Sequence, residues 1–153
     1  MKPRLDFYSA APDAIAAVRA LNSYVHECGL ELSLLELVKT RASQINGCAY
    51  CIHMHTRDAR AAGESEERLY LLDAWRESPL YSDRERAALA WTEALTRLSD
   101  ERHVPDRLYE EARRHFTEEE LVKLTVAVGL INVWNRICVG FQAVHPVDSR
   151  RAR

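Results

Sequence analysis

The sequence predicts a single all-α domain, a helical bundle, and three observations carry that expectation. Apolar residues recur at a period near 3.6 through most of the chain. Ser or Thr with Glu three residues later opens several of these stretches, the spacing of a capping box. No segment alternates apolar and polar residues as a half-buried strand would. With five glycines and five prolines among 153 residues, and 47% apolar against 29% charged, the chain lacks the breakers of a β-rich or disordered protein. It is long enough for one core.

The elements follow in order. Residues 13–27 carry Ile15, Val18, Leu21 and Val25 on one stripe, and Gly29 is a natural stop. A second helix is expected from Ser33, with Glu36 in capping-box position, through Leu34, Leu35, Leu37 and Val38 to the Asn46-Gly47 turn. A third runs from there to Gly63. Ser65 with Glu66 and Glu67 opens a fourth, which closes before Pro79. Ser82 with Glu85 opens a fifth, carrying Leu89, Trp91, Leu95 and Leu98. A short sixth follows Pro105, and Thr117 with Glu120 opens the last, to about Phe141. One echo runs through this order: Glu36-Leu37-Val38-Lys39 recurs as Glu120-Leu121-Val122-Lys123. At the same offset Cys48 maps to Asn132 and Cys51 to Asn135, so a duplication would make the second copy a degenerate helix pair without the chemistry.

That chemistry sits in Cys48-Ala49-Tyr50-Cys51-Ile52-His53-Met54-His55. On a helix each residue advances about 100°, which gathers Cys48, Cys51 and His55 into a sector roughly 60° wide and sends His53 to the far side. The thiolate is the reactive form of cysteine, so a dithiol beside a base reads as redox chemistry. The Asn46-Gly47 turn puts Cys48 in the first turn, where unpaired N–H groups favour an anion. An i, i+3 pair has Cα atoms about 5 Å apart, within disulfide range. Cys51 and His55 are i, i+4 neighbours, so His55 is placed to take the Cys51 proton, and Glu36 on the preceding helix is the candidate carboxylate for its other nitrogen.

Composition narrows the setting. A formal charge of -2 without a long basic run argues against nucleic acid. The Arg-rich residues 150–153 read as a solvated end. The apolar stretch around 124–133 is read as too short for a membrane span and is interrupted by Thr125 and Asn132; Pro12 and Asp13 break any signal-like run. The expected compartment is the reducing cytoplasm, where CxxC points to catalysis or metal more than to a structural disulfide.

Glu36, Cys48-Ala49-Tyr50-Cys51, Met54-His55, Ala59 and Gly63 together resemble the core motif of the AhpD-like alkylhydroperoxidases, within the carboxymuconolactone decarboxylase superfamily. The resemblance continues more loosely through Tyr81 to Leu98. It implies one AhpD-like domain over residues 1–153, with its core motif at 33–63 and a C-terminal helical half at 82–143. It also implies a homo-oligomer, commonly a trimer or hexamer, and a peroxidase that needs no cofactor or metal. By this likeness Cys51 attacks a hydroperoxide and becomes sulfenic acid, Cys48 resolves it to a disulfide, and Glu36 and His55 form the proton relay. An external dithiol, a lipoyl-bearing protein in the best-known relatives, reopens the bridge, and a peroxiredoxin is a further partner. The sequence departs from the founding enzyme at Tyr50, which stands where that enzyme has a histidine.

Other readings of the same residues stand beside this one. The pair can serve a general dithiol–disulfide oxidoreductase or a redox-sensing or zinc-holding module. Cys48, Cys51, His55 and Glu36 can supply four zinc ligands, although i, i+3 and i+7 positions on one helix span about 10 Å. Lactone decarboxylation fits less well, because that branch does not depend on a CxxC pair. Without the resemblance, Glu36 reads first as the partner of Ser33 in a cap. Tyr50 is a candidate substrate contact at the pocket mouth. His53 is expected to face solvent or a neighbouring subunit. Cys28 and Cys138 read as packed core thiols, and Trp75, Trp91 and Trp134 as core or interface.

Overall fold

The computed structural model describes residues 1–101 and 103–146, and all regular structure among them is helical. The Arg-rich run at 150–153 lies outside the described residues. A short α1 (Phe7–Ala10), capped by the Asp6 carboxylate and not expected from the sequence, precedes α2 (Pro12–Glu27). Pro12 sits in the first turn of α2, where its missing N–H costs nothing. Gly29, at φ 93°, turns the chain out of that helix.

Helix α3 (Leu32–Ile45) is the axis of the molecule and packs on α4 (Ala49–Ala61), α6 (Asp83–Thr96) and α9 (Glu118–Gly140). Leu35, Leu37 and Val38 are fully buried, each contributing about 1.5–3 kcal/mol by leaving water. The expected capping box at Ser33 does not form. Helix α3 begins one residue earlier, at Leu32, with Glu31 as N-cap and no side-chain cap bond. Glu31 instead pairs with Arg84 of α6 at 3.1 Å, and an early start turns Leu34 and Leu35 into the core. Glu36 thus lies inside the helix, released from any capping duty.

The expected fourth helix is broken. Helix α5 (Glu66–Tyr70) gives way to a 3-10 segment (Leu72–Glu77) with Ala74 off helical geometry. Arg86 ties down the far end of the segment, donating to Trp75 O and Ser78 O through Nη1 and to Arg76 O through Nη2. These are last-turn carbonyls before Pro79, which has no N–H for Trp75 O, and a side chain satisfies them. Buried Glu93 completes the anchor by accepting from Arg41 Nε at 2.7 Å, Trp75 Nε1 at 3.0 Å and Arg76 Nη1 at 2.6 Å. Both capping boxes read at Ser82–Glu85 and Thr117–Glu120 are present. Leu98 falls outside α6, in α7 (Leu98–Glu101), and α8 (Asp106–His115) follows Pro105 as expected.

Helix α9 overturns two readings. It is one continuous helix of 23 residues, so the second copy of the echo is not a helix pair: the positions matching the Asn46-Gly47 turn are Leu130 and Ile131, mid-helix apolar residues with no signal to turn. By length and composition it is also sufficient to cross a membrane, with a mean hydropathy of 1.4 in its best window, contrary to the reading of that stretch as too short. The core accounts for this character. Leu121, Leu124, Ala127, Val128, Leu130 and Ile131 are buried, where α2, α3, α4, α6 and α8 pack against it.

Candidate active site

The site is built where the turn between α3 and α4 meets α9. Asn46 ends α3 and Gly47, at φ 65°, reverses the chain through a conformation glycine adopts freely. Cys48 is therefore the N-cap of α4, with extended backbone, and its N–H donates to Ser43 O at 2.9 Å. Helix α9 clamps this turn. Asn135, almost wholly buried, donates from Nδ2 to Ser43 Oγ at 3.0 Å and accepts from Asn46 Nδ2 at 2.8 Å. Asn46 Nδ2 also donates to Asn132 Oδ1 at 3.0 Å. The echo positions Asn132 and Asn135 are thus the supports of the turn that carries the first copy's thiols.

Both thiols are about 1% exposed. The Cys51 N–H donates to Cys48 Sγ at 3.4 Å, a sulfur standing in for the usual capping oxygen. The third sulfur was not anticipated. Cys138, read as a lone core thiol, projects from the last turns of α9, and the Sγ atoms of Cys48, Cys51 and Cys138 all lie within 4.8 Å of one another. No spacing rule reaches across 87 residues. The one signal was the echo, which aligns Cys138 with Met54 on the thiol helix. Cys28, by contrast, packs in the main core as expected.

The cluster concentrates negative charge on one sulfur. Hydrogen bonds from Cys138 and then Cys51, with the Cys51 backbone N–H and Asn135, outweigh burial and bring the Cys48 thiol down to about 3. At Cys51 the Cys138 thiol acts to lower the pKa, but the bond to Cys48, burial and the Cys48 charge raise it to about 12. Cys138 is raised too, first by its bond to Cys48 and then by that to Cys51. The direction of these shifts favours the thiolate form at Cys48, at the positive end of α4, as the sequence position suggested.

His55 is buried one turn along α4, and its Nδ1 lies 2.7 Å from Glu36 Oε2. Glu36 Oε1 accepts from Lys39 Nζ at 3.0 Å. Burial raises the Glu36 pKa, but the His55 hydrogen bond and the His55 and Lys39 charges overcome it, and the carboxyl ends below its ordinary value. With its proton on Nδ1, His55 presents Nε2 as the basic nitrogen. Among the described residues no hydrogen bond joins His55 directly to either thiol; the imidazole shares their helix face but is tied to Glu36.

A cavity of about 180 Å³ opens on the cluster, lined by Tyr8, Arg19, Asn22, Tyr50, Cys51, Met54, Trp134 and Cys138. Cys51 reaches its wall and Cys48 does not. Tyr50 is on that wall, as anticipated for a substrate contact, and its hydroxyl is pushed up, chiefly by burial. Trp134, read as core, contributes to the cavity, whereas Trp75 and Trp91 are buried core residues. His53 stacks on His145 with ring centroids 4.6 Å apart. The alternative zinc set of Cys48, Cys51, His55 and Glu36 is not the cluster the fold forms: the donor atoms that gather within 4.8 Å of one another are those of Cys48, Cys51 and Cys138, while His55 and Glu36 pair with each other. The three sulfurs bring no imidazole or carboxylate as fourth donor, a poor match to the four ligands of a structural zinc site.

Several known proteins share this architecture. A protein of unknown function from Agrobacterium tumefaciens, provisionally assigned to antioxidant defence as AhpD, superposes with a TM-score of 0.93 at 48% identity, covering 96% of this chain and 100% of that one. The uncharacterized protein YdfG of Bacillus subtilis is 42% identical over 139 residues, 91% of this chain and 94% of its own length. An uncharacterized peroxidase-related protein of Ralstonia eutropha with an alkylhydroperoxidase AhpD core shares the fold, with a TM-score of 0.79 at 19% identity over 91% of this chain and 74% of that one. Residues 11–94, more than half the sequence and the whole of the thiol motif, match the carboxymuconolactone decarboxylase family model. The chain therefore belongs to the carboxymuconolactone decarboxylase family, as an AhpD-like member.

Proposed function

We propose that the protein is a thiol-dependent peroxidase that reduces hydroperoxides at Cys51. The single observation that carries the reading is a buried dithiol, with Cys51 on a cavity wall and Cys48 beside it as the N-cap of α4. The likeness to AhpD-type proteins supports the same class.

In the proposed cycle Cys51 gives up its proton to the relay of His55 and Glu36 as the hydroperoxide enters, and the Cys51 thiolate attacks the distal oxygen of the hydroperoxide. The O–O bond breaks, the alcohol leaves with a proton, and Cys51 becomes sulfenic acid. Cys48 then attacks the Cys51 sulfur, hydroxide leaves and is protonated to water, and the disulfide closes. Glu36 holds His55 in the tautomer whose Nε2 can exchange protons with the site, through a bridging water. An external dithiol, a lipoyl-bearing protein by family likeness, restores both thiols by exchange, with a peroxiredoxin as a further partner. No cofactor or metal takes part. A cytoplasmic homo-oligomer, trimer or hexamer, belongs to the same proposal.

The test is hydroperoxide consumption with a dithiol reductant. Cys51→Ser should reduce turnover to the uncatalysed background, and unchanged turnover in that variant would falsify the assignment. Disulfide exchange far faster than peroxide turnover on one preparation would favour a general dithiol–disulfide oxidoreductase instead.

A further inference from the structure

Three sulfurs, not two, share this centre, and their positions differ in kind. Cys48 lies under the site at the N-terminus of α4, held by the Cys51 N–H. Cys51 and Cys138 both line the cavity. Cys138 is not free to drift. It stands one turn beyond Asn135, whose bonds to Ser43 and Asn46 fix the register of α9 against α3. Its carbonyl accepts from Ala143 N at 2.8 Å, which secures the end of the helix. A sulfenic acid formed on Cys51 from the cavity side would therefore meet the Cys138 thiol on the wall it already shares. The sulfurs already lie within 4.8 Å of one another, a short approach from bonding distance.

We propose that Cys138 is a third redox thiol of this centre, which closes a disulfide with Cys51 when Cys48 is blocked or absent and exchanges with the Cys48–Cys51 bridge when it is present. The inference rests on the peroxidase reading for its oxidant but not for the pairing itself. In the resolving step the Cys138 sulfur attacks Cys51–SOH, the S–O bond breaks, and the oxygen leaves as water with the thiol proton. In the exchange step the Cys48 thiolate attacks Cys51 of the Cys51–Cys138 bridge. The Cys48–Cys51 bond forms and Cys138 leaves as thiolate to be protonated, with no net oxidation.

Cleavage after arginine makes the two bridges distinguishable. Cys48 and Cys51 share the tryptic peptide 42–57, while Cys138 lies in 137–150. The reduced full-length protein and its Cys48→Ser, Cys48→Ala and Cys48→Ser/Cys138→Ser variants are treated with one equivalent of an organic hydroperoxide or, separately, with the azo oxidant diamide. Free thiols are alkylated and monomer-mass material is digested without reduction. The two peptides should be joined in a minor fraction of wild type and become the main oxidised product in both Cys48 single variants. In the double variant they should stay apart, with a diketone-trappable sulfenic acid on Cys51 after hydroperoxide.

Single variants that leave Cys138 alkylatable under both oxidants, while wild type closes Cys48–Cys51, overturn the role of Cys138 and leave the peroxidase reading standing. A wild type inert to hydroperoxide overturns the peroxidase reading, and joined peptides under diamide then still support Cys138 as a redox partner of Cys51. If the Cys48 variants do not fold, the wild-type digest decides: complete absence of joined peptides under both oxidants overturns the proposal.

Discussion

The tetrapeptide Glu-Leu-Val-Lys occurs twice, and its two copies do opposite work. Glu120 accepts from the Thr117 N–H at 2.8 Å and closes the capping box of α9, where it also meets Arg84 at 2.8 Å. Glu36, with the same three neighbours and a serine three residues before it, caps nothing. It is half-buried against α4 and holds His55 and Lys39. The difference is where each helix begins. Thr117 stands outside α9, so its glutamate is the third helical residue, while Ser33 is already inside α3 because that helix starts at Leu32. One shift in the starting point turns a capping carboxylate into the partner of a buried histidine. The contrast extends down both copies, from Cys48 and Cys51 in the first to Asn132 and Asn135 in the second, thiols in one and amide supports in the other.

Substitutions at paired positions can break or sharpen this comparison. The largest effect belongs to Cys51 and its echo, Asn135. Cys51→Ser should bring hydroperoxide turnover to background with stability little changed, whereas Asn135→Ala should act first on the fold. By leaving buried groups of Ser43 and Asn46 unpartnered it should cost about 2–3 kcal/mol in urea unfolding. Equal loss of stability in both variants would erase the distinction between thiol and support.

Next comes the glutamate pair itself. Glu36→Gln should slow turnover by about a hundredfold, the scale of a lost proton-relay member, and displace the pH–rate profile. Thr117→Ala, on the capping copy, should leave that rate unchanged and destabilise by about 1 kcal/mol. Rates that fall equally in both variants would mean that Glu36 matters only for the fold.

The smallest effect is in acid. The folded-state pKa of Glu36 is depressed below its ordinary value of about 4.5, so its contribution to stability is fully present above that value and is lost as pH falls through the folded pKa. Wild type should therefore lose stability more steeply than Glu36→Gln on acidification below about pH 4.5. Parallel curves would show that the His55 and Lys39 partnerships give no net stabilisation.

Alkylation separates the cysteines by the same logic. Cys48, lowered to about 3, should keep its thiolate reactivity through mildly acid pH when the folded protein is labelled, and should lose it below about pH 8 once unfolding removes the bonds from Cys138, Cys51 and Asn135. A steep fall below about pH 8 at Cys48 in the folded protein would remove the lowered pKa assigned to that thiol.

Much of the molecule was legible from local pattern. Helical periodicity, the two capping boxes that formed, the Asn46-Gly47 turn and the co-facial Cys48, Cys51 and His55 all depend on residues within a few positions of each other, where backbone geometry leaves little choice. The Glu36–His55 pairing was also anticipated, because the two helices are joined by a short turn and must lie side by side. What local pattern could not supply was the break after Tyr70, in a segment tied to α6 through Arg86 and Glu93, and the early start of α3, where Glu31 pairs with Arg84.

By itself, then, the sequence determined the helices, the dithiol and the direction in which its chemistry points, since those follow from steric and electrostatic rules acting over one or two turns. Only the tertiary structure decided that the site has a third sulfur, that Asn135 braces it, and that Cys51 rather than Cys48 meets the cavity. Those facts depend on the packing of α9 against α3 and α4, and burial of apolar faces sets that register without regard to distance along the chain.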